Sequence, residues 1–264
     1  MSRTSAMFER LHAERRLGVS MFVTVGYPHK HDTPAIAEAL VAAGTDFIEL
    51  GVPFSDPLAE GRSVQGSSLR ALKNGVTVPF CLEVAREVRE RGVDVPLILM
   101  GYINPILAYG LDRFCADAAA AGVDGLIVAD LSMEEAEVIH QACRDAALDL
   151  ILFIAPTSTE ERMRTVARLA TGFIYCISVT GVTGSRDSLP DEVDGMLERI
   201  RALTSTPLAL GFGISRPEHL ERLAGKVDAA IVGSALVDHI TEEDPAGSAA
   251  AFVTQIRGGA AVGS

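Results

Sequence analysis

The chain has 264 residues, 48 % hydrophobic and 22 % charged, which excludes a disordered or fibrous protein and allows a core large enough to need no disulfide or metal. Lys and Arg number 23 against 35 Asp and Glu, a formal net charge of −12 at pH 7. That balance argues against nucleic acid or an anionic membrane as the main partner, yet leaves room for a small anion held by backbone amides.

The first eighteen residues are polar and basic, with Arg3, Arg10, Arg15 and Arg16, and lack the apolar stretch of a secretion signal. No run approaches the roughly 18 apolar residues of a membrane span, so a cytoplasmic protein is expected. Short runs rich in Val, Ile and Leu then recur at 21–25, 46–50, 95–100, 125–129, 148–154, 172–177, 207–210 and 229–232. Such runs predict strands covered on both faces, as in a parallel sheet. Between them lie helical patterns at 34–43, 112–121, 133–146, 160–170, 191–203 and 217–223, the first two stopped by Gly44 and Gly122. The interval between the second and third runs is the longest, about 50 residues, and holds 52–78 and an extra amphipathic segment. Cys81, Cys115, Cys143 and Cys176 are scattered without metal-ligand spacing and are expected to be reduced and structural.

Eight βα units in this length predict an α/β fold, a single (β/α)8 TIM barrel over residues 1–264, with a frayed tail at 258–264. The competing architecture, a doubly wound open sheet, usually carries GxGxxG after its first strand. Here the first run ends in Val25-Gly26-Tyr27-Pro28.

In a barrel the working residues sit at the C-terminal ends of the strands. Phe22, Tyr102 and Tyr175 lie there and can wall an aromatic ligand or pack in the core. Glu49 stands inside an apolar run, where a carboxylate costs several kcal/mol unless it is hydrogen-bonded, ion-paired or functional. Desolvation there raises its pKa toward the range useful for proton transfer. The loop that follows adds Asp56 and Glu60, either of which can be an ordinary solvated charge. Asp130 ends the fourth run and can cap the next helix. The sixth, seventh and eighth runs end in Ser178-Val-Thr-Gly-Val-Thr-Gly-Ser185, Gly211-Phe-Gly-Ile-Ser215 and Gly233-Ser234. Each alone reads as a turn. Three together predict a phosphate seat built from backbone amides, which needs no Lys or Arg. The six histidines are not grouped on strand ends, so a histidine base or metal site is not expected.

Together, Phe47-IELGVPFSDPLAEG-Arg62, Phe22-VTVGY-Pro28, Thr180-GVT-Gly184, Leu210-GFGI-Ser215 and Gly233-Ser-Ala235 resemble the tryptophan synthase α-subunit family over nearly the whole chain. The resemblance implies retro-aldol cleavage of indole-3-glycerol phosphate to indole and glyceraldehyde 3-phosphate, without Schiff base or metal. It implies that Glu49 moves the indole C3 and hydroxyl protons and that Glu60, at the position of the family's aspartate, accepts the indole N–H. It places the phosphate on Gly184, Gly213, Gly233 and Ser234. Phe22, Tyr102 and Tyr175 fall around the indole, and Thr183 in the loop that closes the site. It further implies a pyridoxal-phosphate β subunit in an α2β2 tetramer, reached through Pro53, Phe54 and Asp56, with no cofactor in this chain. Two alternatives stay open: a stand-alone lyase releasing free indole, and a weakly active relative that regulates a β subunit. The second draws on Glu60 and Arg62, where the family normally has Asp and Pro. The added methylene is expected to misplace a hydrogen bond by about 1 Å, worth roughly 10²-fold in rate. A Glu60–Arg62 ion pair is expected to lower the basicity of Glu60.

Overall fold

The computed structural model describes residues 2–178, 191–211 and 213–258. The apolar runs form β1 (Gly18–Thr24), β2 (Phe47–Gly51), β3 (Leu97–Gly101), β4 (Gly125–Val128), β5 (Asp149–Ile154), β6 (Ile174–Ile177), β7 (Leu208–Gly211) and β8 (Ala229–Val232). They close into a barrel in chain order, every neighbouring pair parallel. Around it lie α1 (Arg3–Glu14), α2 (Thr33–Ala42), α3 (Arg62–Lys73), α4 (Val78–Glu90), α5 (Ile103–Tyr109), α6 (Leu111–Ala120), α7 (Met133–Asp145), α8 (Glu160–Leu169), α9 (Asp191–Arg201), α10 (Pro217–Leu223), α11 (Ser234–His239) and α12 (Pro245–Ile256). The long interval between β2 and β3 holds two helices, α3 and α4. All four cysteines are free and buried. Among the described residues no helix is long and apolar enough to cross a membrane.

Strand residues alternate between two cores because successive side chains of a strand point to opposite faces. In β2, Ile48 and Leu50 join the layer between strands and helices. Phe47 faces the lumen, with Ile98, Ile127, Ile151, Phe173 and Ile231. Glu49, two residues after Phe47, shares this inward face one layer nearer the C-terminal rim.

The polar N-terminal segment is helix α1, which plugs the N-terminal mouth. Ser2 caps it by accepting the Ser5 N–H. Met7, Phe8 and Leu11 insert into the lumen, where Phe8 meets Phe47 and Phe173 with ring centroids 6.3 and 6.0 Å apart. Only three apolar side chains carry this contact, too few to show as a periodic pattern in a charged stretch.

The same mouth holds a repeated clamp. The first or second amide of each odd strand donates to a side chain just before the following even strand. Val19 donates to Asp46, Leu97 to Asp124, Leu150 to Thr171 and Leu208 to Asp228, at 2.6–2.9 Å. The three aspartates are neutralised locally by arginines: Asp46 by Arg16 and Arg257, Asp124 by Arg3 and Arg89, and Asp228 by Arg201, with the His12 Nε2 2.8 Å from the same carboxylate. Burial pushes the Asp228 carboxyl up, but the Leu208 amide, His12 and Arg201 outweigh it and hold its pKa below the usual value.

Candidate active site

At the C-terminal rim the lumen opens into a cavity of about 170 Å³. Glu49 forms part of its floor, Phe22 and Val64 one wall, Tyr175 and Met100 another, and Gly211, Gly213, Gly233 and Ser234 the side at β7 and β8. A second cavity, about 240 Å³, adjoins it and shares Glu60, Met100, Tyr175 and Ile177. Its remaining walls are mostly apolar, from Val128, Ala129, Leu131, Leu152 and Phe153, with Arg162 at the rim. One slot therefore runs from a glycine-lined end, past two carboxylates, to an apolar end.

Barrel register places Glu49. It lies directly across from Phe22 on β1 and Ile98 on β3. Its side chain is 0 % exposed, with one oxygen 3.4 Å from the Ser20 hydroxyl and the other without a hydrogen-bond partner among the described residues. Among the described residues it makes no ion pair. Burial drives its pKa up to about 8; the Ser20 hydroxyl opposes the shift and the Glu60 charge adds to it. Glu60, part-buried in the loop before α3, is pushed by burial to about 7. Two acids poised near neutrality in one slot suit proton transfer at physiological pH.

The expected Glu60–Arg62 pair does not form. Arg62 is exposed at the start of α3 and makes no ion pair among the described residues, while Glu60 lines both cavities. Desolvation therefore sets its pKa, and the shift is upward rather than downward. Asp130 does not cap the next helix. Ser132 caps α7, and Asp130 instead accepts the Ile103 N–H at 2.8 Å.

Two glycines are required by the aromatic walls. A Cβ on Gly51 would stand 2.4 Å from the Phe22 ring, and one on Gly211 would stand 2.9 Å from the Tyr175 hydroxyl. Tyr175 packs on Phe153 at 4.8 Å between centroids, and burial with the two glutamates holds its hydroxyl well above its ordinary pKa. Gly213 has φ +59°, a left-handed conformation costly to most side chains. Ser234 opens α11, preceded by Gly233.

Tyr102 borders neither cavity of the slot. It stacks on Phe54, centroids 5.0 Å apart, and its hydroxyl accepts the Ala59 N–H at 3.1 Å, next to Glu60. Burial, with the charge of Glu60, raises its pKa to about 12. Phe54, Asp56, Leu58, Ala59, Tyr102, Asn104 and Asp130 surround a separate cavity of about 500 Å³, with Pro53 buried beneath the loop. Thr183 and Gly184 lie outside the described residues. Met100, Phe153, Ile177 and Arg162 are site residues missed in the sequence; the first three sit on inward strand positions, a signal that the period-2 pattern carries.

The family model described as the tryptophan synthase alpha chain matches residues 8–258. The tryptophan synthase alpha chain of Roseiflexus castenholzii is 48 % identical over 261 residues, covering 98 % of this chain and all of that one. Among solved structures, tryptophan synthase of Mycobacterium tuberculosis superposes with TM-score 0.90 at 34 % identity, covering 99 % of both chains. The alpha subunit of Legionella pneumophila superposes with TM-score 0.89 at 35 % identity and 97 % coverage of both. The chain belongs to the tryptophan synthase alpha chain family. It is the indole-3-glycerol phosphate lyase of tryptophan biosynthesis and the alpha subunit of a complex with a β subunit.

Proposed function

We propose that the slot holds indole-3-glycerol phosphate with its phosphate at the glycine-lined end and its indole at the apolar end, and that Glu49 and Glu60 divide the proton chemistry between them. The observation that carries this reading is Glu49, fully buried with one oxygen unpartnered among the described residues, between those two ends. A pKa near 8 keeps it protonated at neutral pH, as a general acid must be.

Glu49 gives its proton to indole C3, and Glu60, as carboxylate, accepts the indole N–H while the ring becomes an indoleninium. The Glu49 carboxylate then takes the proton of the hydroxyl on the adjoining carbon. That oxygen's electrons form the aldehyde carbonyl, and the carbon–carbon bond's electrons return to the ring. The hydroxyl proton ends on Glu49 and the original Glu49 proton on indole C3, so the enzyme is regenerated without a cofactor in this chain. Gly213, Gly233 and Ser234 offer backbone amides to the phosphate, together with Gly184. No Lys or Arg among the described residues borders that cavity, which fits an amide seat.

The loop of Pro53, Phe54 and Asp56 is the proposed contact with the β subunit, in an α2β2 tetramer in the cytoplasm, with pyridoxal phosphate confined to β. Leu58 on this loop is 92 % exposed, and Tyr102 ties the loop to the residue before Glu60. Partner binding can therefore shift Glu60. Indole release from indole-3-glycerol phosphate, with and without β subunit, tests the whole reading. Turnover that rises on adding β supports it. High turnover indifferent to β makes the chain a stand-alone lyase, and ligand binding without turnover makes it a regulator.

A further inference from the structure

Helix α10 follows the β7 loop, and its start is tied in an unusual way. Arg216, at the N-cap, makes no side-chain capping bond, and Pro217 opens the first turn. His219, the third helical residue, is only 5 % exposed. Its Nδ1 accepts the N–H of Ser215 at 3.2 Å. A backbone amide can only donate, so Nδ1 carries no proton and a neutral ring carries it on Nε2. The arrangement is that of a capping box, in which the third helical side chain reaches back over the first turn to an unsatisfied amide. Here an imidazole replaces the usual Glu or Gln and reaches one residue further back.

The bond holds the loop that carries Gly213. Among the described residues a Cβ at Gly213 would meet nothing within 4 Å. Its position is set from the two flanks. On one side Gly211 is paired with Ile177 and Ile231 in the sheet. On the other, Ile214 is buried and the Ser215 amide is held by His219. We propose that His219 is a positioning residue for the anion seat, clamping the far side of the Gly213 loop so that its amides meet a phosphate. The choice of residue fits the ligand. A Glu at this place would satisfy the same amide but bring a negative charge to the loop that carries Gly213, whereas a neutral imidazole accepts the bond without charge. This inference rests on the reading of the slot as a phosphate-binding site.

The test compares the full-length chain with His219→Leu, which removes the acceptor, and His219→Gln, which restores one in the usual capping-box form. The probes are inorganic phosphate and indole, titrated separately, with steady-state cleavage of indole-3-glycerol phosphate. His219→Leu is expected to weaken phosphate and raise KM by about tenfold, with kcat within about threefold, because loop displacement costs binding before chemistry. Indole affinity should stay within about twofold, and His219→Gln should recover phosphate affinity to within about threefold of the parent. Phosphate affinity unchanged in His219→Leu overturns the proposal. So does an equal loss of phosphate and indole, or no recovery with Gln. The parent chain gives a check that needs no variant: ¹⁵N NMR at neutral pH should show His219 protonated at Nε2, and an Nδ1-protonated neutral ring overturns the clamp. A parent that binds phosphate in this pattern but cleaves nothing supports the clamp and overturns the catalytic reading.

Discussion

Replacing Glu49 with Gln removes the proposed proton donor while keeping the shape of the side chain. General acid–base catalysis by one positioned group is worth about 10²–10⁴-fold, so turnover should fall by about 10³-fold. The same change should stabilise the fold. An ordinary glutamate ionises near 4.5, whereas buried Glu49 ionises near 8. Between those values the folded chain binds a proton that the unfolded chain has released, so stability drains away as pH rises from 4.5 toward 8. At pH 7 the cost of holding the group neutral is on the order of 3 kcal/mol. Glu49→Gln escapes that cost, so its denaturant midpoint should exceed the parent's by a margin that grows with pH across this window. The parent's kcat/KM should follow a bell, rising as Glu60 ionises near 7 and falling as Glu49 ionises near 8. Because the two acids interact, these limbs belong to the pair. With limbs that close, the working state is populated only in a narrow window between them. Glu60→Gln should erase the acid limb and draw the alkaline limb to lower pH, since the Glu60 charge is part of what raises Glu49. Turnover of Glu49→Gln within about tenfold of the parent refutes the assignment, as does a flat profile from about pH 6 to 9.

Gly213→Asp places bulk and charge at the anion seat, at a backbone angle that Asp tolerates better than most residues; phosphate affinity should drop by at least about tenfold while the thermal midpoint changes little. Gly51→Ala drives a methyl into the Phe22 ring and should cost about 1–3 kcal/mol, with weaker indole binding as the ring moves into the slot; titration with indole and chemical denaturation measure both. Asp228→Asn keeps an oxygen for the Leu208 N–H but removes the negative charge that Arg201 and His12 face, a loss of about 1–2 kcal/mol near pH 7. The folded pKa of Asp228 lies below its ordinary value, so this stability is complete above about pH 4 and disappears as pH falls through the lowered pKa. Urea midpoints of the two proteins should therefore converge in acid.

The strands were legible from the chain alone because both faces of a barrel strand are buried, which writes unbroken apolar runs into the sequence. Phe47-Ile-Glu-Leu-Gly51 went further: a carboxylate inside such a run announced itself by its cost, and the structure shows it buried, with one oxygen unpartnered among the described residues. The glycine loops were legible as backbone that must approach something closely, and Gly213, Gly233 and Ser234 do converge on one cavity. Other features depend on through-space neighbours that no local pattern encodes. Helix α1 hides its role because three apolar side chains suffice once the lumen supplies Phe47 and Phe173. Arg62 stands two residues from Glu60, yet the turn into α3 sends it to solvent while Glu60 folds into the slot, so proximity in sequence misjudged the charge. Tyr102 sits on a strand end like Tyr175, but faces the Phe54 loop instead of the slot. The sequence alone determined which residues could be inside, since hydrophobicity and glycine act locally. Only the closed barrel decided which inward groups face each other, because desolvation, ion pairing and the shape of the slot arise between strands distant in the chain.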